Sequence, residues 1–370
     1  MRKCVLLISS VHPGNDPRIV HKIIPALSEH FDLLCMLPHT ERSDFQTTVT
    51  VKSLPFFTWI GWRILLTYPV IFWKSLKVKP DIIHFFVPEL IPFALVYQWL
   101  GATVIYEVQE NLYQKLSIKK KNNSWLFRNA FYFFDKLARK RFHFIFTEDA
   151  YLREYSTLSK EPIVIHNFSK KGFNRSGKVE SKTPSFIYSG VITCDRGLGT
   201  IIIACNILKR YVTDFQVHFF GHNRLKTNEM RRIEGFETAE PHLVFHGYTE
   251  YHEVLEKGKS CLAGLAVLKN TGDYQDSYPS KIFDYMGIGI PVITSDFQLY
   301  KKIVEANECG FCIDPDDANS LAETMKLMIE NRQDANRMGD RGYHLVQTTH
   351  NWENEATRLR NYYHQVINEY

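Results

Sequence analysis

The residues best placed to do chemistry lie in the eighteen-residue stretch Asp276-Ser277-Tyr278-Pro279-Ser280-Lys281-Ile282-Phe283-Asp284-Tyr285-Met286-Gly287-Ile288-Gly289-Ile290-Pro291-Val292-Ile293. Pro279 closes a loop, Ser280 is suited to cap the helix that follows, and Gly289 ends that helix before an apolar run. The first N–H groups of a helix have no partner within it and carry partial positive charge, so with Lys281 beside them they form a site for a diphosphate. Asp284, one turn on, is placed to accept hydrogen bonds from ribose hydroxyls. Asp276, in the loop, is placed to accept them from the hydroxyls of a sugar. The plainer alternatives are a charged helix face for Lys281 and Asp284 and a solvated loop acid for Asp276. Gly190 and Gly247 each follow an expected strand, as turn glycines or as points where a ligand meets the backbone.

Such residues need elements to hold them. Short β-rich apolar runs alternate with helix-length segments along most of the chain. Strands are expected at Cys4–Ser9, Phe31–Leu37, Asp81–Val87, Thr103–Glu107, Phe142–Thr147 and Pro162–His166, with helices such as Arg18–Glu29 and Ile91–Leu100 between them. The polar stretch Ser169 to Pro184 reads as a linker. The pattern then restarts with strands at Ser185–Ser189, Phe215–Phe220, Leu243–His246, Leu262–Val267 and Pro291–Thr294. Alternation of this kind gives a parallel sheet covered by helices on both faces. Its repetition in 370 residues predicts an α/β protein of two Rossmann-like, doubly wound domains facing across a cleft, with ligands at the carboxyl ends of the strands. The expected divisions are 1–170, a linker at 171–184, 185–350, and a terminal helix at 351–370.

The segment Asp276 to Ile293 resembles the signature of the retaining glycosyltransferase family four, of the GT-B fold. That signature has two glutamates eight positions apart, then a Met, a Gly and a Pro-Val-Ile strand. Asp284-Tyr285-Met286, Gly289 and Pro291-Val292-Ile293 match it, as does Pro279-Ser280-Lys281, common in members that build cell-surface polysaccharide. Asp276 and Asp284 stand where the family has glutamates. The resemblance spreads along the chain: Asp16-Pro17-Arg18-Ile19 with Gly14, Asp81-Ile82-Ile83-His84 with Pro88-Glu89-Leu90, and Ile163-Val164-Ile165-His166-Asn167 in the first half. Tyr188-Ser189-Gly190 through Arg196-Gly197-Leu198, Leu243-Val244-Phe245-His246-Gly247-Tyr248 and Asn351-Trp352-Glu353 continue it in the second.

The resemblance implies a retaining hexosyl transfer from a nucleoside diphosphate sugar (a UDP-sugar favoured, a GDP-sugar possible) to a saccharide or lipid-linked acceptor, without a metal or other cofactor. Arg196 and Lys281 would neutralise the leaving diphosphate, with Gln109 and Glu110 near the reacting sugar. Gly14, Gly190, Gly247, Tyr248, Asp276, Ser280 and Asp284 would bind the donor. Three departures stand against it. Val191 replaces an Arg, Gln109 replaces a His that could titrate, and Phe86-Val87 replace a His-Asp pair. They keep two alternatives open: a binding scaffold on the same fold that has lost its chemistry, and a nucleotide-sugar epimerase. No G-x-G-x-x-G follows the first strand, which sets a dehydrogenase aside.

Composition narrows the setting. Seven scattered cysteines argue against a disulfide framework and for a reducing compartment, and the spacing Cys309-Gly310-Phe311-Cys312 reads as coincidental. No cluster has metal-ligand spacing, and His84 and His143 sit in apolar runs as core histidines do. Met1-Arg2-Lys3 leads straight into a strand, with no signal-peptide core. Residues 1–170 hold 22 of the 45 basic and 14 of the 40 acidic side chains, so the first half carries the positive excess. It concentrates in Lys115, Lys119, Lys120, Lys121, Arg128, Lys136, Arg139, Lys140 and Arg141 among aromatic residues. A second basic and aromatic stretch, Phe56 to Lys79, carries Trp59, Trp62, Trp73, Arg63, Lys74, Lys77 and Lys79. Its apolar pieces are too short to span a bilayer. Both stretches suit a surface docking on anionic headgroups from the cytoplasmic side, or two helices turning their aromatic faces to the core. Nucleic acid is disfavoured, because no recognised binding motif accompanies the charge.

Overall fold

A computed structural model describes residues 2–39, 49–110, 113, 125–172 and 182–368. Lys115 and Lys119 to Lys121 of the first basic stretch, and most of the expected linker, lie outside these residues. The chain divides into two compact units, Met1–Asn167 with Asn354–Tyr370, and Phe168–Glu353.

The first unit is built on a seven-stranded parallel sheet: β1 (Cys4–Ile8), β2 (Asp32–Pro38), β3 (Thr50–Leu54), β4 (Ile82–Phe85), β5 (Thr103–Val108), β6 (His143–Phe146) and β7 (Ile163–Val164). Their spatial order is β3-β2-β1-β4-β5-β6-β7, so the winding reverses between β1 and β4. The C-terminal helix Trp352–Asn368 brings Tyr362 and Tyr363 to this unit. Tyr362 Oη donates to the Phe144 carbonyl at 3.3 Å, and the Tyr363 ring lies 5.4 Å from that of Phe31.

The second unit carries a six-stranded parallel sheet: β8 (Ser185–Ser189), β9 (Gln216–Phe220), β10 (Leu243–Gly247), β11 (Ala263–Ala266), β12 (Val292–Ser295) and β13 (Gly310–Ile313). The order β10-β9-β8-β11-β12-β13 places its reversal between β8 and β11. Both faces are buried, because helices cover a parallel sheet on each side. On β12, Ile293 belongs to the core beneath the Leu198–Leu208 and Ala318–Glu330 helices, while its neighbour Val292 belongs to the core beneath Ser280–Gly287. Two parallel Rossmann-like sheets of this order give the GT-B architecture.

Two strands went unforeseen. The edge strand β3, Thr-Val-Lys-Ser-Leu, is half polar and only its last residue is fully buried. Strand β13 begins at a glycine, where a Cβ would meet the Val292 carbonyl oxygen at 2.0 Å. It also holds Cys312 of the Cys-x-x-Cys pair, with Cys309 just before it. All seven cysteines are free, and burial pushes the Cys309 and Cys312 thiols up to about 11 and about 12, away from the reactive thiolate. His84 and His143 are buried and hydrogen bonded. Among the described residues no helix is long and apolar enough to cross a membrane, and no group of three or more His, Cys, Asp or Glu could hold a metal ion.

Candidate active site

In the second unit, three neighbouring strands end in glycines. Gly190 follows β8, Gly221 follows β9 and Gly247 ends β10; Gly190 N–H donates to the Phe220 carbonyl at 2.8 Å and Gly221 N–H to the Gly247 carbonyl at 2.7 Å. Two of these positions require glycine. Gly221 has φ +132°, and a Cβ there would fall 2.1 Å from the Gly190 carbonyl oxygen. Gly190 has φ +117°, conformational space that L side chains rarely enter. Bare backbone therefore lines the carboxyl end of this half of the sheet, next to the switch point between β8 and β11 where ligands of doubly wound sheets bind. Tyr248, directly after Gly247, is exposed.

Two cations converge on the space above Gly190. A Cβ built there would lie 3.6 Å from Lys281 Nζ and 3.8 Å from Arg196 Nη1. Arg196 ends a short turn after β8, before Gly197 opens the Leu198–Leu208 helix. Its Nε donates to Tyr274 Oη at 3.3 Å, and its guanidinium carbon lies 5.6 Å from that ring. Tyr274 is held in turn through its carbonyl, which accepts from Tyr300 Oη at 2.5 Å. Val191, where the resemblance leads one to expect an Arg, offers its carbonyl to Tyr188 Oη at 2.7 Å.

Lys281 is the second residue of the Ser280–Gly287 helix and is buried. Its ammonium sits 3.7 Å from the centre of the Tyr188 ring, a cation–π contact, and finds no hydrogen-bond partner or ion pair among the described residues. Burial, and then the nearby Arg196 charge, drive its pKa well below the ordinary lysine value, against the pull of Asp284. A buried ammonium costs several kcal/mol unless it is paired. This one stands beside a second cation, in the first turn of a helix.

The local sequence explains the helix, with one correction. Ser280 was expected as the cap, but the helix begins at Ser280 and Pro279 occupies the cap position with extended backbone and no side-chain bond. Ser280, exposed, therefore lends a first-turn N–H rather than consuming one. At the other end Gly289 adopts φ +77°; its N–H donates to the Met286 carbonyl and Ile290 N–H to the Tyr285 carbonyl, closing the helix as a Schellman motif.

Asp284 is buried on the same helix. Its Oδ1 accepts from Tyr251 Oη at 2.6 Å and from Ser169 Oγ by a short hydrogen bond. Burial, then the Asp284 charge, push the Tyr251 phenol far above its usual value, so it remains a donor. Neither Tyr251 nor Ser169 stood out in the sequence. The half-buried Asp276 ends the turn Tyr274–Asp276, two residues from the tyrosine that holds Arg196. Gly190, Arg196 and Lys281 are thus gathered at one spot, with Ser280 preceding Lys281 in the same helix, Asp276 in the turn that begins at Tyr274, Gly247 and Tyr248 two strands away, and Asp284 one turn along the helix.

The first unit holds Gly14, Gln109 and Glu110 at its own carboxyl edge. Gly14 N–H donates to the Pro38 carbonyl at 2.8 Å, tying the loop after β1 to the end of β2. Gln109 Nε2 donates to Glu107 Oε1 at 2.7 Å, and Glu110 is exposed. Glu107 is the centre of a buried network that the sequence did not announce. Arg18 Nε reaches it at 2.8 Å, His84 Nε2 lies at 3.4 Å, and His84 Nδ1 bonds Tyr363 Oη at 2.5 Å. Burial alone would raise the Glu107 pKa, but Arg18 and His84 outweigh it and hold the carboxyl well below its usual range. Phe86 is buried and packs 4.5 Å from the His84 ring, and Val87 is buried as well.

Comparison with known proteins adds to this geometry. Residues 170–345 match the family model described as glycosyl transferases group 1, which places the match within the second unit. No curated protein sequence matches the chain. Among solved structures, sucrose-phosphate synthase from Thermosynechococcus elongatus superposes with a TM-score of 0.77 at 15% identity, covering 100% of both chains. HepE from Anabaena, solved with UDP, gives 0.72 at 13% identity over 99% of this chain and 100% of its own. WaaG, a glycosyltransferase involved in lipopolysaccharide biosynthesis, gives 0.70 at 11% identity over 96% and 98%. At such identities the likeness shows the fold, GT-B; the family match in the second unit supports glycosyl transfer.

Proposed function

We propose that this chain is a retaining, metal-independent glycosyltransferase of family four that takes a hexosyl group from a nucleoside diphosphate sugar. The observation that carries the reading is the buried Lys281 ammonium, without a hydrogen-bond partner among the described residues, beside Arg196 and the bare backbone of Gly190. Two cations and a helix N-terminus beside the bare backbone of Gly190 are complementary to a diphosphate, and they stabilise charge most where it develops as that group leaves. HepE has been solved with UDP and with UDP-glucose, which favours a UDP-sugar here and leaves a GDP-sugar as the second choice.

In this reaction the bond between the anomeric carbon and the diphosphate oxygen breaks as the acceptor hydroxyl attacks from the same face. The departing phosphate oxygen takes the acceptor proton, so no protein carboxylate has to act as nucleophile. Arg196 and Lys281 hold the diphosphate. Asp276 binds donor sugar hydroxyls and Gly247 and Tyr248 flank the nucleoside. Asp284, whose Oδ1 accepts from Tyr251 and Ser169, is assigned to the ribose hydroxyls in this scheme. Gln109, fixed by Glu107, with Glu110 and Gly14, is assigned to the handling of sugar and acceptor in this scheme. The acceptor is a saccharide or lipid-linked saccharide of cell-surface polysaccharide, reached from the cytoplasmic face of the membrane.

Thermal stabilisation by UDP, GDP, ADP and TDP, followed by UDP-sugar turnover with the stabilising base, tests the reading. A shift with one nucleotide that Lys281→Ala and Arg196→Ala both abolish is the expected result. Stabilisation by none of them in a folded protein refutes a nucleotide-sugar donor.

A further inference from the structure

Five of the six tryptophans are solvent-exposed, and all five lie in the first unit: Trp59, Trp62, Trp73, Trp99 and Trp125. Trp73 and Trp125 are each 74% exposed and Trp99 89%, while Trp352 alone is buried. They do not belong to scattered loops. The helical run Ile60–Leu76, the helix Ile91–Trp99 and the helix Trp125–Arg141 lie side by side. The Phe72 ring meets Phe93 and Tyr97 edge-on at 6.5 and 5.8 Å, Ser75 Oγ bonds Tyr97 Oη, and Gln98 Nε2 donates to the Arg141 carbonyl at 2.9 Å.

Their inward sides are apolar, with Ile71, Phe93, Tyr97 and Ala138 in the core, as any surface helix requires. Their outward sides carry exposed apolar residues too, interleaved with basic ones such as Arg128, Lys136 and Lys140. Leu65, Leu66, Leu100 and Phe133 are exposed along with the tryptophans. A helix facing water normally turns charge outward, so an aromatic outer face signals another medium. Charge selects which medium. Residues 49–80 contain Lys52, Arg63, Lys74, Lys77 and Lys79 and not one Asp or Glu. Lys77 and Lys79 are exposed at the end of the first helical run, with the Lys77 ammonium 5.9 Å from the centre of the Trp73 ring.

We propose that this three-helix face docks into the interfacial layer of an anionic lipid bilayer without crossing it. The indole rings suit that layer because one edge is apolar and the other donates a hydrogen bond. Lys77 and Lys79 meet headgroup phosphates, and the leucines reach the start of the acyl chains. The docking stands on its own observations. The consequence that a lipid-carried acceptor is presented to this unit rests on the transferase reading.

The test is cosedimentation of the full chain with phosphatidylcholine vesicles, with and without phosphatidylglycerol, in the absence of donor or acceptor. Wild type is expected to bind anionic vesicles and to release with salt. Lys77→Gln/Lys79→Gln should weaken anionic binding roughly thirtyfold. Trp73→Ser/Trp99→Ser should weaken it at least about tenfold with or without the anionic lipid. The replaced side chains are exposed, and an unchanged melting temperature certifies the fold. Wild type that ignores anionic vesicles, or variants that bind as it does, overturn the proposal. So does a concentration-dependent dimer that Trp73→Ser/Trp99→Ser dissolves, which would assign the face to a second copy of the chain. A protein that binds vesicles but shows no nucleotide stabilisation would separate this inference from the transferase reading.

Discussion

Replacing Lys281 by Met should make the free protein more stable and its nucleotide complex weaker. The substitution keeps the stem's volume and removes the charge. In the free protein the ammonium is buried, lacks a hydrogen-bond partner among the described residues and is repelled by Arg196. Its effective desolvation cost is several kcal/mol. The contact with Tyr188 at 3.7 Å returns about 2 kcal/mol, and Asp284 adds a weaker attraction. The net gain on removal is roughly 1–2 kcal/mol, which raises the melting temperature of a unit this size by about 2–8 °C. In the complex the same substitution deletes a charge-assisted hydrogen bond to phosphate, about 1.5–3 kcal/mol. Coulomb attraction at an effective dielectric of about 20 sets a ceiling of about 4 kcal/mol. Affinity for the nucleoside diphosphate therefore falls on the order of 10- to 1000-fold.

Differential scanning fluorimetry and calorimetric titration read the two signs separately. The pH dependence adds a third signature. The folded pKa of Lys281 lies below that of the unfolded chain, so between the two values the unfolded state binds more protons and this residue makes stability rise with pH. A bound phosphate raises the folded value again. Nucleotide binding within that interval then takes up a proton, visible as a binding enthalpy that varies with the buffer's ionisation enthalpy. Lys281→Met should erase that variation. A variant that melts several degrees lower yet binds nucleotide as wild type does would refute the reasoning and make Lys281 a structural cation on the Tyr188 ring.

Gly190→Ala forces an L residue to φ +117° and places a methyl group against both cations. Chemical denaturation should show a loss of about 1–3 kcal/mol, with nucleotide affinity falling in parallel. Glu107→Gln leaves Arg18 without its buried counter-charge and should cost about 3–5 kcal/mol by the same measurement. Because the Glu107 pKa is depressed on folding, its contribution is complete above about pH 4.3 and is lost as pH falls through the folded value. The acid limb of the wild-type stability curve should flatten in the variant. Cys309 and Cys312 should react slowly with thiol reagents at neutral pH in the native state, more slowly than the exposed Cys194. A mixed disulfide formed at Cys309 or Cys312 in the native state would contradict their burial.

The fold was readable because its strands are short apolar runs separated by helix-length segments, a period that survives without any tertiary information. Strands β3 and β13 escaped because one is a half-polar edge and the other starts at a glycine packed on a neighbouring backbone. The Lys281 and Arg196 cluster was readable only in part. Motif spacing placed both residues near a phosphate, but their convergence on Gly190 depends on how two loops and a helix meet. The Ser280 cap failed because Pro279, with its fixed φ, already suits the position before the first turn. The Arg18–Glu107–His84–Tyr363 network joins residues up to 345 positions apart in sequence, and no local pattern reports such a meeting.

The same geometry weighs on the choice between an enzyme and a scaffold that kept the fold and lost its chemistry. Val191 and Gln109 speak for loss, since each replaces a side chain that could carry charge. Lys281 speaks the other way. A chain with no anion to bind gains nothing from an ammonium that is buried, lacks a hydrogen-bond partner among the described residues and is repelled by a neighbouring guanidinium, and a methionine would fill the same space at lower free energy. The site therefore retains its cost where a diphosphate would offset it. A diphosphate site serves a transferase and a nucleotide sensor alike. Gln109 is where the two part. Its amide is fixed by Glu107 at 2.7 Å, so if it orients the sugar, Gln109→Ala should lower the turnover number and leave nucleotide affinity intact. Equal turnover in that variant would take Gln109 out of the reaction and leave the catalytic reading resting on the second unit alone.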